Sequence, residues 1–220
     1  MEHLRHVARS HAGPLQLASE AAWALSDLVY WVEPQGLVPA CRRLVEWHPG
    51  AGSIWNLAVR VLAASDPADE ARIVSQELQS DTTAEELAAM LPEGAAVASW
   101  GGDVWRQARR LRPDVLDVRR GRRSDLVVIE ADALGPDGFV ARDGASALCG
   151  DAPVWVVAPT GAVVGREIWA RLVARLSDGD RGYEVVSRDG VAKVVGPAGE
   201  ESWAIALTRA APEAPPPTLR

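Results

Sequence analysis

Two continuous apolar runs, Leu126-Val127-Val128-Ile129 and Val154-Trp155-Val156-Val157, constrain what this chain can fold into more than any other feature. Neither alternates polar with apolar residues, and both are rich in β-branched side chains, so each suits a strand covered on both faces. Between them stand a Gly-Pro-Asp-Gly turn and a short, weakly helical stretch from Ala145 to Cys149. The segment therefore reads as strand, crossover, strand with right-handed topology. Ligands of open α/β sheets sit outside the carboxyl ends of the strands. That rule places Glu130, Asp132 and the loop after them at the end of the first strand, and Pro159, Thr160 and Gly161 at the end of the second.

The pattern changes character near Leu91-Pro92-Glu93-Gly94. Before it, Ala18, Ala21, Ala22, Leu25, Leu28, Val29 and Val32 recur at the spacing of one helix face, as do Ile54, Leu57, Ala58, Val61 and Leu62. Pro34, Pro39, Pro49 and Pro67 mark breaks between helices, and the Asp81-Thr-Thr-Ala-Glu-Glu run looks like a capped helix start. After Gly94, strands are expected at Ala95 to Ser99, Val115 to Val118, Leu126 to Ile129 and Val154 to Val157, with helices at Val104 to Leu111 and Arg166 to Leu176. Tyr183 to Leu207 reads as a meander with turns at Arg188 to Gly190 and Gly196 to Gly199. The expected architecture is α/β: a helical region over 1–92, a Rossmann-like, mostly parallel sheet domain over 93–209, and a disordered Pro- and Ala-rich tail over 210–220.

Composition excludes several classes. A net charge of −7 argues against a general nucleic-acid or anionic-membrane binder. Cys41 and Cys149 lack CxxC or Cys/His ligand spacing, so no disulfide framework, zinc site or other metal is expected, and no cofactor either. The charged start of the sequence has no apolar signal core, and no run of about 18 apolar residues exists. A cytoplasmic, soluble protein is the expectation.

Ser99-Trp100-Gly101-Gly102-Asp103 lies between an expected strand and a helix, where free N–H groups can hold a phosphate. Asp103 is suited to cap that helix and would then compete for the same N–H groups. Arg106, Arg109, Arg110, Arg112, Arg119, Arg120, Arg122 and Arg123 concentrate positive charge, but without interleaved aromatics they read as a solvated face rather than a nucleic-acid surface. His3, His6, His11 and His48 form no ligand motif. Of the nine tryptophans, Trp23, Trp47 and Trp55 fit core or interface packing, whereas Trp100 stands where it can fill a cleft.

The run from Asp125-Leu126-Val127-Val128-Ile129-Glu130-Ala131-Asp132, through Pro136-Asp137-Gly138 and Gly144-Ala145-Ser146, to Pro153-Val154-Trp155-Val156-Val157-Ala158-Pro159 resembles a family pattern. The family contains the regulatory subunits of translation initiation factor 2B, methylthioribose-1-phosphate isomerase and ribose-1,5-bisphosphate isomerase. The resemblance implies a helical part framing a ligand cleft, a C-terminal part forming a homodimer, and a phosphorylated sugar or nucleotide as ligand. It places the catalytic carboxylate at Asp132 and ligand contacts at Ser99, Trp100, Gly101, Gly102, Asp137, Arg142, Gly144 and Ser146, Arg142 standing for a family lysine.

The chain also departs from the pattern. Where the isomerases carry a catalytic cysteine it has Trp100 or Gly101, its Asn-Lys loop is altered to Arg142-Asp143, and a strand–helix unit before Ser124 is missing. Proton transfer in such an isomerisation needs two groups in complementary protonation states. A non-catalytic or divergent binding and regulatory protein is therefore expected, the alternative being an aldose–ketose isomerase acting on a ribose phosphate.

Overall fold

The computed structural model describes residues 13–31, 34–118, 123–177, 182–210 and 214–219. Helices come first: α1 (Pro14–Trp31), α2 (Leu37–Trp47), α3 (Gly52–Ala63), α4 (Pro67–Gln79) and α5 (Thr83–Met90). Local chemistry sets their limits. Asp66 caps α4 by accepting from the N–H groups of Ala68 and Asp69, and Pro67 takes the first position, where an N–H has no helical partner to lose. The sequence predicts a break at Pro39, but that residue lies in the first turn of α2, where a missing N–H is harmless. From Gly52 to Val59 every residue of α3 is buried, so this helix is the axis of the helical region. Its Trp55 donates the indole N–H to the Pro49 carbonyl at 2.9 Å, satisfying the one polar group of a fully buried side chain.

Beyond α5 the chain runs β1 (Ala96–Trp100), α6 (Asp103–Leu111), β2 (Leu116–Val118), β3 (Leu126–Glu130), β4 (Ala133–Leu134), β5 (Gly138–Arg142), β6 (Val154–Val157), α7 (Arg166–Ser177), β7 (Tyr183–Ser187), β8 (Val191–Gly196), β9 (Gly199–Glu201) and α8 (Trp203–Leu207). One sheet has the order β2-β1-β3-β6-β8-β9, parallel except for β9. The two apolar runs are its central pair, with Val127 opposite Val154 and Ile129 opposite Val156. A second, antiparallel sheet has the order β4-β5-β7.

Side-chain alternation assigns the layers. Val97, Leu126, Val128 and Trp155 pack against Leu87 of α5 and Val104 and Trp105 of α6. The opposite face of the same strands, with Val127, Ile129, Val156 and Val194, packs against Leu134, Phe139, Ala141 and Val186 of the small sheet. Val140 and Ala133 turn the other way, into a core made by α1 to α4 together with Ile168, Trp169 and Leu172 of α7. The helical region and the sheet domain thus share one interior.

Several local features refine the sequence reading. The crossover between β3 and β6 is the β4–β5 hairpin followed by a turn of 3-10 helix at Ser146–Leu148, because residues 138–142 are a buried strand. The turn at Arg188 to Gly190 does not join neighbours in a meander; it passes from β7 in the small sheet to β8 in the large one, while the Gly196 to Gly199 turn does close a hairpin. Trp23 and Trp47 are about half exposed, and only Trp55 of those three is core. Within 210–220, Pro217–Leu219 forms a 3-10 turn, and Leu219 is buried in the helical core. His3, His6, His11, Val32, Arg119, Arg120 and Arg122 lie outside the described residues.

Phe139 is fully buried between the two sheets. Phe139→Ala is expected to destabilise the fold by about 3–5 kcal/mol through lost transfer free energy and an unfilled cavity. Urea denaturation of the two proteins measures this, and a loss below about 1 kcal/mol would contradict burial of that ring.

Candidate functional site

Parallel pairing brings the carboxyl ends of β1 and β3 side by side, with Trp100 opposite Ile129. The next residue, Glu130, projects to the start of α6, where its Oε2 accepts from the N–H groups of Gly102 at 2.8 Å, Val104 at 3.2 Å and Trp105 at 3.4 Å. An internal carboxylate thus sits where the sequence suggests a bound phosphate, satisfying the orphan N–H groups and facing the positive end of the helix dipole. A Cβ on Gly102 would stand 3.1 Å from Glu130 Oε1, so the missing side chain gives that carboxylate its room. Asp103 is not the cap. It is the first helical residue, accepts from the Gly13 N–H at 3.2 Å and pairs with Arg106. Burial raises the pKa of Glu130, and the N–H bonds oppose the rise.

Asp132 is only 6% exposed. Its N–H donates to Val140 and its carbonyl accepts from Gly52, both at 2.8 Å, so the residue is held between β5 and the start of α3. Its Oδ2 lies 3.7 Å from Arg142 Nε. Burial pushes the carboxyl up to about 7; Arg142 pulls against this and Glu130 adds to it. The Arg142 guanidinium lies 4.2 Å from the centre of the Tyr183 ring, a cation–π contact, while its side chain stays more than half exposed. Tyr183 is itself raised to about 12 by burial and the nearby Asp132 charge. Its ring lies against Gly50, where an added Cβ would approach to 2.7 Å. Trp100 closes one side, donating its indole N–H to the Arg142 carbonyl at 2.9 Å.

Trp100, Gly101, Gly102, Glu130, Asp132 and Arg142 therefore converge, bordered by Gly13 and Gly50 of the helical region. Chemically the group offers a carboxyl that ionises near neutrality and one cation open to an anionic ligand. Other sequence candidates are engaged elsewhere. Ser99 bonds to Asp117 across the sheet edge, and both the N–H and hydroxyl of Ser146 are held by Glu184 at 2.7 Å. Gly144 supplies a positive φ of 96° in the turn before Ser146. Asp137 is exposed at the far end of β5, about 17 Å from Arg142 by strand rise. Thr160 is occupied by Asp81, which accepts from its N–H and hydroxyl. Arg106 pairs with Asp103 and Arg112 with Asp114, so two of the four arginines from Arg106 to Arg112 are held by carboxylates. Tyr183 and Gly50 have no local sequence signal, since a strand pairing and a tertiary contact bring them in.

Among the described residues no group of three or more His, Cys, Asp or Glu is arranged to hold a metal ion, and no helix is long and apolar enough to cross a membrane.

A helical region sharing its core with a mostly parallel sheet defines a fold class, that of initiation factor 2B subunits and a sugar-phosphate isomerase. The chain is similar to translation initiation factor eIF-2B of Pyrococcus horikoshii OT3, with a TM-score of 0.70 at 15% identity over 90% of this chain and 95% of that one. The tetrameric eIF2B-beta2-delta2 complex of C. thermophilum contains a chain similar at a TM-score of 0.73 and 14% identity, covering 94% of this chain and 91% of that one. The 5-methylthioribose 1-phosphate isomerase of P. horikoshii OT3 gives 0.58 and 12%, over 94% and 86%. No protein-family model and no curated protein sequence matches, so the likeness is one of fold.

The raised Asp132 pKa has a consequence for stability. The folded state holds the proton up to about pH 7, whereas the unfolded chain releases it near its ordinary value of about 4. This contribution is fully present below about pH 4 and is lost as pH rises to about 7, up to about 4 kcal/mol. Asp132→Asn is expected to flatten that part of the curve, as read from urea midpoints across the range. Parallel pH profiles for the two proteins would show that Asp132 ionises normally.

Proposed function

We propose that this chain is an initiation factor 2B-like binding protein, non-catalytic, that takes a phosphorylated sugar or a nucleotide beside Asp132. Arg142 meets the phosphate with its exposed guanidinium, and Asp132 accepts from a sugar hydroxyl. One observation carries the reading. Glu130 fills the anion-holding turn at Gly102 to Trp105, and Trp100 and Gly101 occupy the stretch where the resemblance calls for a thiol. In this reading the phosphate subsite is Arg142, and the thiol that would be the second proton-transfer group has no counterpart at Trp100 or Gly101.

The alternative is an aldose–ketose isomerase acting on a ribose phosphate. It is favoured by Asp132, whose pKa of about 7 suits a residue that must both accept and donate a proton.

Assembly as a homodimer is part of the proposal, supported by the eIF2B complex of similar fold, which is tetrameric, and by the exposed apolar Leu111 and Leu116 near the open β2 edge. A cytoplasmic location agrees with two free thiols, Cys41 and Cys149.

The test is thermal denaturation with ribose 5-phosphate, methylthioribose-1-phosphate and adenosine monophosphate, followed by NMR detection of turnover. At least one compound is expected to raise the Tm, by roughly the equivalent of 2.7 kcal/mol at a hundredfold excess over Kd. Arg142→Ala should abolish the rise and Asp132→Asn should reduce it, with no isomerised product from the wild-type protein. No Tm change with any of the three sinks the binding proposal, and product formation that Asp132→Asn removes establishes the isomerase instead.

A further inference from the structure

Arg142 ends β5 and stands directly opposite Tyr183 of β7 in the antiparallel register. Side chains so paired lie on one face of a sheet within contact of each other. Here the guanidinium carbon comes 4.2 Å from the centre of the phenol ring, well inside the reach of a cation–π contact. The ring is itself seated. A Cβ on Gly50, in the connection between α2 and α3, would stand 2.7, 2.8 and 3.0 Å from its Cδ1, Cε1 and Cγ atoms, so bare backbone of the helical region supports it. At the other end of the residue, the Trp100 indole holds the Arg142 carbonyl at 2.9 Å.

An exposed arginine samples many rotamers and loses that freedom when it grips an anion, so whatever restrains it beforehand raises affinity. The Arg142 side chain is 56% exposed, and two neighbours could restrain it. Asp132 is the weaker one: its Oδ2 lies 3.7 Å from Nε, beyond hydrogen-bond length, and its burial works against a full charge near neutral pH. Tyr183 is the stronger. Its ring meets the guanidinium carbon itself, a contact that involves the face of the planar group, while all five N–H donors lie in the plane. The ring therefore restrains the cation without consuming a donor that an anion would need.

We infer that Tyr183 is a positioning residue, whose ring face fixes the Arg142 guanidinium before an anionic ligand arrives. The ligand half of this inference rests on the phosphate reading of Arg142 given above; the restraint on Arg142 does not. The ring face acts and the hydroxyl does not, so phenylalanine serves in its place and leucine does not.

The test is 15N relaxation of the Arg142 Nε–H group in the free protein and in Tyr183→Phe, Tyr183→Leu and Asp132→Asn, followed by calorimetric titration with ribose 5-phosphate and adenosine monophosphate. The order parameter is expected above about 0.6 in the wild type, Tyr183→Phe and Asp132→Asn, and below it in Tyr183→Leu. The compound that the wild type binds should bind Tyr183→Phe within about twofold and Tyr183→Leu about fivefold more weakly. A mobile Arg142 in the wild type overturns the inference, as does a Tyr183→Leu protein that binds as tightly as the wild type. Mobility gained in Asp132→Asn and not in Tyr183→Leu gives the role to Asp132 and overturns it too. If Tyr183→Leu does not fold, the wild type and Asp132→Asn decide. A rigid Arg142 that Tyr183→Leu releases, with neither compound bound by the wild type, upholds the restraint and sinks the phosphate reading alone.

Discussion

Val140 faces one core while its neighbours Phe139 and Ala141 face another, and the layered packing depends on that strand being buried from both sides. The parallel sheet has α5 and α6 on one face and the short α8 at one side of the other. The rest of that second face is covered by the small antiparallel sheet, which would itself expose an apolar surface without the helical region behind it. A single strand between two interiors satisfies both requirements, since successive side chains of a strand point to opposite faces. Gly138 belongs to the same arrangement: a Cβ there would stand 2.2 Å from the Val186 carbonyl oxygen, so β7 approaches as it does only because that atom is missing.

The end of β3 positions two carboxylates of unlike character. Glu130 ends β3 and meets three N–H groups, which support its charge against burial. Asp132, two residues on, has its backbone fixed between Val140 and Gly52 and relies on one longer contact to Arg142. Burial therefore dominates at Asp132, and the carboxyl is brought to the neutral range. The difference comes from placement. One carboxylate reaches a helix start and the other does not.

Much of this was legible in the sequence for a physical reason. The unbroken runs at Leu126 and Val154 can satisfy their apolar content only as interior strands, and the helical spacing of Ala18 to Leu28 and of Ile54 to Val61 admits little else. Strand β5 was not legible. Its five residues include Gly138 and Ala141 and are flanked by turn signals at Pro136-Asp137 and Asp143-Gly144, so local chemistry speaks for a loop. The cap on α6 was misassigned for a related reason. Asp103 has the right type in the right place, but the carboxylate that reaches those N–H groups comes from Glu130, and only the β1–β3 pairing brings it there. At Arg188 to Gly190 the turn itself is plain, yet nothing local says that the strands on its two sides belong to different sheets.

The shared interior bears on how the chain comes to be folded as it is made. Helices α1 to α4 meet much of their core partners in residues 133, 140 and 164–176, and β5 finds its second pairing partner, β7, only at residues 183–187. An emerging N-terminal half would therefore carry an uncovered apolar face through most of synthesis. Leu219 closes the same core from still further along. Topologies with such distant contacts fold slowly and leave apolar surface exposed to other chains in the interval. For this protein the vulnerable period is the time between translation of Ala63 and translation of Ser187, which makes the ribosome's pace across the parallel sheet a determinant of yield.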